Sequence, residues 1–266
     1  MRSKKDDCDE GMVMKDMHSS HLGREIRVAW AIAAKDMRTY YTQPPSIMFG
    51  ILFPFALFLS FSVGRNVPLA TQIPILVSQT LFFASSSIGP VVIPIERADQ
   101  TFDRFLTSPV SLLTILMGKT LGGIIYGTGI SIIPVLVGIA FFGTQIVNIG
   151  AIIACFALST LAFSALGIMF ASIPGQTVGQ VMMPLNFVRI PLLFISGVFT
   201  PIAELPPWMQ VVSMLSPLTH TVELARYSLG GGTFFGPLVN MAILTFYTAI
   251  FLFLGIRFHI MNQRKE

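Results

Sequence analysis

The sequence predicts an all-α integral membrane protein with six transmembrane helices, and three observations lead there. Only 11% of its 266 residues are charged while 53% are apolar, and a soluble domain carries roughly 25% charged residues. The charges are also unevenly placed. From Leu121 to Ile256 the only ones are Arg189, Glu204, Glu223 and Arg226, so about half the chain has no water-facing surface and lipid must be its solvent. Finally, Lys and Arg concentrate on alternate connections between six apolar runs, the pattern that orients membrane spans. No nucleic-acid partner is expected despite a net charge of +4, because the basic residues lie beside apolar runs and form no basic domain.

In chain order, residues 1–21 are expected to be a disordered cytoplasmic tail. Met12, Met14, Met17, His18 and His21 form a run of soft ligands that suits copper or another metal. No second cluster completes a site, so they are read as incidental and no metal is assigned. Over 22–45, Leu22, Ile26, Ala29, Trp30, Ala33 and Met37 recur at helical spacing, with Arg24, Arg27, Lys35, Asp36 and Arg38 among the remaining positions. This pattern predicts an interfacial amphipathic helix, either an elbow that borders a partner or a plain anchor for the first span. The membrane domain covers 46–259, with spans near 46–63, 71–95, 112–142, 149–172, 179–199 and 237–259. Most reach the roughly 20 residues needed to cross hydrocarbon; the first is short. Residues 260–266 form a second cytoplasmic tail.

Orientation follows from the basic residues. Arg2, Lys4, Lys5, Lys15, Arg24, Arg27, Lys35 and Arg38 precede the first span, Arg97, Arg104 and Lys119 surround the second connection, and Arg257, Arg264 and Lys265 close the chain. The intervening connections hold only Arg65 and Arg226. Both termini are therefore expected in the cytoplasm of a multi-pass cell-membrane protein. The first apolar run lacks a small-residue cleavage pattern, so the N-terminus is expected to be retained. Cys8 lies in the tail and Cys155 in a span, which argues against a disulfide.

The connection after the second span reads Glu96-Arg97-Ala98-Asp99-Gln100-Thr101-Phe102-Asp103-Arg104-Phe105-Leu106-Thr107-Ser108-Pro109. Phe102, Phe105 and Leu106 share a helical face ringed by charge and stopped by Pro109, which fits either a short cytoplasmic docking helix or a solvated bridge between spans. Far downstream stand Ser196-Gly197-Val198-Phe199-Thr200-Pro201, Leu205-Pro206-Pro207-Trp208-Met209, Ser216-Pro217-Leu218-Thr219 and Glu223-Leu224-Ala225-Arg226. Together with Glu96-Arg97, Thr101-Phe102-Asp103, Leu106-Thr107-Ser108-Pro109-Val110-Ser111 and Gly118-Lys119, these blocks resemble the permeases of the ABC-2 family, in the family's order. Gln100, Phe102-Asp103, Ser216 and His220 depart from the family's usual Gly, Leu-Glu, Asn and Tyr.

The resemblance implies a permease subunit of an ATP-driven exporter, working as a dimer with itself or a related chain and coupled to separate ATP-binding-cassette ATPase subunits. Its substrate would be lipid-like, drug-like or glycan-linked. Glu96, Arg97, Thr101, Phe102, Asp103, Phe105 and Leu106 would form the ATPase-docking helix. ATP and Mg would belong to the partner, and the chain itself would hold no cofactor and be no enzyme. Gly118-Lys119-Thr120 agrees with that, because the glycine a phosphate loop needs five residues before Gly118 is Leu113. No Ser/His/Asp or paired-carboxylate constellation supports a hydrolase. The alternatives are an ion-coupled secondary transporter, which would need intramembrane acids or an internal repeat, and a membrane sensor or signalling subunit.

Residues 200–236 hold Pro201, Pro206, Pro207, Pro217 and Gly230-Gly231-Gly232 and are too apolar for a solvated loop. They predict an outer re-entrant helical hairpin with Trp208 at the lipid interface, a feature the resemblance also implies. Glu204, Glu223 and Arg226 would stand at the outer mouth, as a gate or as helix caps and mutual partners. Arg189 lies near the middle of the fifth span, three residues after Asn186 on one face. A charge there turns toward a cavity or a partner, so the two are read as lining a substrate pathway; the other reading bonds Arg189 to carbonyls near Pro184 or places it at a subunit interface. Gly118, Gly122, Gly123 and Gly127 supply small-xxx-small spacing for close helix contact.

Overall fold

A computed structural model describes residues 6–62, 69–101 and 110–263, with side chains over 23–60, 71–101 and 110–262. Among these residues every regular element is helical. α1 (Asp6–Tyr40) begins within the stretch expected to be a disordered tail and ends in a turn of about a right angle: 23–40 and 44–60 meet at 93°. The Ser46 hydroxyl fixes that turn by donating to the Tyr40 carbonyl at 2.9 Å. α2 (Pro44–Ile47), a π-turn (Met48–Leu52) and α3 (Phe53–Ser62) then follow without a break. The π-turn has a cause in the sequence, because Pro54 has no N–H for the Gly50 carbonyl and the ladder slips to Phe53 N–H bonding Met48.

The remaining helices are α4 (Leu69–Ala98), α5 (Leu112–Phe142), α6 (Ile149–Ala171), α7 (Val178–Ile195), α8 (Pro207–Ser213), α9 (Pro217–Ser228) and α10 (Pro237–Gln263). Five of them are long and apolar enough to cross a membrane, and a sixth span results when the bent pair at the start is counted as one. The spans expected at 71–95, 112–142, 149–172, 179–199 and 237–259 each coincide with a helix to within a few residues. α5 starts on Ser111, whose hydroxyl accepts the Thr114 N–H at 3.1 Å, and ends on left-handed Gly143.

α4 is the axis of the molecule. It is almost wholly enclosed and packs against α3, α5, α6, α7 and α9. α7 and α10 instead leave most of their length open, with Met183, Phe187, Ile190 and Phe194 exposed on α7. In a membrane chain such a face meets lipid or another chain. Two close approaches set the packing around α4. Pro90 removes the helical donor of the Ser86 carbonyl, and Gly167 of α6 lies against that carbonyl; a Cβ there would sit 2.5 Å from it. Gly118 of α5 admits α1, since its Cβ would meet the Ala29 carbonyl at 2.8 Å. The small-residue stripe therefore packs helices, as its spacing predicts.

Candidate functional site

At one end of the bundle, three helices converge on an ion cluster. α1 supplies Lys35 and Asp36, the last turn of α4 supplies Glu96, and α5 supplies Lys119 two turns from its start. Lys119 Nζ lies 2.9 Å from Asp36 Oδ2 and 2.6 Å from Glu96 Oε1. Lys35 Nζ lies 3.1 Å from Asp36 Oδ1 and also pairs with Glu96. Asp36, Glu96 and Lys119 are wholly buried, while Lys35 is partly exposed over the Tyr40 ring. Two ammonium groups face two carboxylates, so the cluster is electroneutral; each charge lost from water is compensated only while all three helices stay together. Neighbouring bonds tighten the same end. Tyr41 donates to the Gly122 carbonyl, Arg97 Nη1 to the Ile173 carbonyl at 2.8 Å, and Asn262 Nδ2 to the Ser172 carbonyl at 2.7 Å. The last two close the C-terminal end of α6, whose final carbonyls have no helical donors.

Glu96 and Arg97 thus sit differently from what a docking helix suggests. Glu96 is turned into the cluster and does not contribute to an exposed face, because two ammonium groups compensate its burial. Arg97 is turned to the α6 terminus. Thr101 is partly buried and donates to the Glu96 carbonyl at 3.2 Å. Phe102, Asp103, Phe105 and Leu106 lie outside the described residues, as do the side chains of Met12, Met14, Met17, His18 and His21.

Farther along α4, Arg189 enters the interior from α7 and is wholly buried. Its Nη2 donates to Ser86 Oγ at 2.6 Å, its Nη1 to Asn186 Oδ1 at 3.4 Å, and its guanidinium lies 5.5 Å from the Phe83 ring centroid. Arg189 Nε has no hydrogen-bond partner. Among the described residues every ion pair belongs to the four-residue cluster, so Arg189 faces no carboxylate. Asn186 and Arg189 are brought together as expected from their spacing, with Asn186 half-buried between Arg189 and the open face of α7.

Among the described residues Glu204, Glu223 and Arg226 form no ion pair within 4 Å. Glu223 is buried and accepts the Phe234 N–H. Arg226 Nη2 donates to the Gly197 carbonyl at 2.9 Å, beyond the end of α7. Each therefore bonds a backbone group. Glu204 and Trp208 are exposed. Arg226 also lines a cavity of about 670 Å³ with Thr71, Gln72, Thr144 and Gln145. His220 bonds Asn240 at 2.7 Å and so fastens α9 to α10.

Sequence reasoning missed the ion cluster. The available signal was Lys119, a lone charge inside a 31-residue apolar helix, which requires a compensating partner.

The family model described as "ABC-2 type transporter" matches residues 27–230. Among similar proteins, the inner membrane transport permease YadH of Escherichia coli strain K12 is 26% identical over 157 residues, covering 57% of this chain and 60% of that protein. Nodulation protein J of Rhizobium meliloti strain 1021 is 26% identical over 151 residues, covering 55% and 54%. A probable multidrug ABC transporter permease, YbhR of E. coli strain K12, is 25% identical over 137 residues, covering 49% and 36%. The chain thus spans 60% or less of the length of these relatives.

Proposed function

Because this chain belongs to the ABC-2 type transporter family of multi-pass membrane permeases, we propose that it is the membrane-spanning subunit of an ATP-driven exporter. The observation that carries the proposal is the family match over 27–230, which includes the N-terminal bend, the docking segment and α9. In this reading two permease chains pair as a dimer, and a separate ATP-binding-cassette ATPase docks at Thr101, Phe102, Asp103, Phe105 and Leu106. Glu96 and Arg97 take the supporting role of fixing the root of that segment to α1, α5 and α6.

Motion of the ATPase then reaches the spans through the cluster, since Glu96 cannot shift without Lys119 and Asp36. α1 lies along the cytoplasmic surface of the bilayer as the interfacial helix, both termini are cytoplasmic, and α8 with α9 forms a hairpin that re-enters the outer leaflet. Asn186 and Arg189 border the substrate path, and Glu204, Trp208, Glu223 and Arg226 surround its outer mouth. The exported substrate is lipid-like, drug-like or glycan-linked. An ion-coupled mechanism has less support, because the buried acids Asp36 and Glu96 are both paired with lysines and buried Glu223 accepts a backbone N–H.

Two measurements test this reading. Protein extracted from its native membrane in a mild detergent is expected to carry ATP hydrolysis that orthovanadate blocks; extracts without such activity count against ATP coupling. For orientation, a Cys8→Ser background takes either Gly232→Cys or Asp99→Cys, both at exposed positions. A membrane-impermeant maleimide added to intact cells is expected to label position 232 and to reach position 99 only after permeabilisation. The reverse pattern would invert the topology.

A further inference from the structure

Arg189 carries a charge that nothing in its span neutralises. Buried cations in membranes are normally matched by an anion, because the cost of dehydrating the charge is several kcal/mol and a hydroxyl or amide dipole returns only part of it. The spans around Arg189 offer no acid: α5, α6 and α7 contain no Asp or Glu, and the sole acid of α4 is Glu96, committed to the lysines. Ser86 Oγ and Asn186 Oδ1 accept from its terminal nitrogens, while Arg189 Nε is buried with no partner. A buried guanidinium with one N–H unused and no acceptor of full charge makes an anion site. Access is from the side, since Asn186 is half-buried and lies between Arg189 and the open apolar face of Met183, Phe187, Ile190 and Phe194.

The geometry points to Arg189, with Asn186 and Ser86 beside it, as a binding site for an anionic headgroup of the phosphate class, whose apolar tail lies along the open face of α7. This deepens the permease reading and rests on it for the statement that the ligand is cargo; the binding itself is measured without ATP or an ATPase. The headgroup enters past Asn186, takes the free Nε–H of Arg189, and supplies the counter-charge that the span lacks. A neutral headgroup gains no such compensation, so the site selects by charge while the apolar face accepts many tails.

The test is equilibrium binding of radiolabelled dodecyl phosphate to the full chain in a neutral maltoside, with unlabelled dodecylphosphocholine and inorganic phosphate as competitors. Saturable binding that dodecylphosphocholine competes at least about tenfold less well than unlabelled dodecyl phosphate is expected. Arg189→Gln is expected to weaken it at least about tenfold, the loss that follows removal of a charged hydrogen-bond partner. Arg189→Lys keeps the charge and is expected to bind within a few-fold of wild type, which a purely structural role for the guanidinium does not predict. Asn186→Leu, at the half-buried edge, blocks entry while leaving the Arg189 charge in place and is expected to lose binding even if Arg189→Gln fails to fold.

Competition by millimolar inorganic phosphate would identify the headgroup alone as the ligand; lack of it would identify the amphiphile. Both outcomes support an anion site. Equal binding by wild type, Arg189→Gln and Asn186→Leu overturns it, and so does equal competition by the zwitterionic and anionic amphiphiles. If binding fails this way while ATP hydrolysis co-purifies, the anion site falls and the permease reading stands.

Discussion

Lys119→Met is expected to destabilise the protein by about 3–5 kcal/mol, the cost of leaving buried charge without its partner. Lys119 touches both buried carboxylates, and its removal leaves Asp36 and Glu96 to share the partly exposed Lys35. One uncompensated negative charge then remains where water does not reach. α1 is expected to come away from α4 and α5, because the cluster joins all three and Gly118 otherwise contributes only a snug fit. Thermal unfolding in detergent should show a fall on the order of 10 °C for a chain of this size. The double variant Lys119→Met with Asp36→Asn restores one cation facing one anion and is expected to recover most of the loss. Such non-additivity is the mark of a shared network. A single variant that costs less than about 1 kcal/mol would show that the cluster is not what holds α1 in place.

Arg189→Met is expected to do the opposite to stability and the same to function. Met fills a similar length with no charge to desolvate, and buried charges replaced by packed apolar side chains leave folds unchanged or more stable by about 1–4 kcal/mol. Ser86 keeps a partner, because its hydroxyl also reaches the Phe82 carbonyl of the preceding turn. ATP-driven transport is nevertheless expected to fall at least about tenfold, equivalent to ~1.4 kcal/mol, since in the proposed reading Arg189 borders the substrate path. Melting temperature and transport measured on the same preparation separate the two roles. If both fall together, Arg189 is a strut between α4 and α7.

How far the sequence was legible follows from the range of each signal. Apolar runs and the distribution of Lys and Arg are local or additive, so the spans from 71 onward fall close to the observed helices. The first span was legible as short, but its π-turn depends on the interplay of Pro54 with the preceding turn. The apolar character of 200–236 foretold helices there, and α8 and α9 are those helices. Glu96 shows where local reading fails. Amphipathic periodicity assigns a charge to the water side, whereas Glu96 meets Lys35 from 61 residues away and Lys119 from 23, contacts that only the packed bundle creates.

Arg189 was conspicuous as a charge in a span, and its link to Asn186 follows from helical spacing. Its tighter partner, Ser86, lies 103 residues earlier in the chain, on a different helix. That α4 would be the enclosed axis was likewise hidden, since its polar residues Ser78, Gln79, Ser85, Ser86 and Ser87 make it the least hydropathic of the long inner spans, together with α7. A helix surrounded by protein tolerates such residues because neighbouring helices and its own carbonyls accept their hydrogen bonds, as Pro74 does for Ser78 at 2.7 Å.

The coupling of this permease to an ATPase is tested most directly by affinity purification from the native membrane, comparing wild type with Phe102→Ala plus Phe105→Ala and identifying the co-purifying chains by mass spectrometry. Recovery of an ATP-binding-cassette ATPase with the wild type, and its loss with a variant that still extracts as a folded membrane protein, is the predicted result. Absence of any such ATPase from the wild type across several mild detergents would contradict the account.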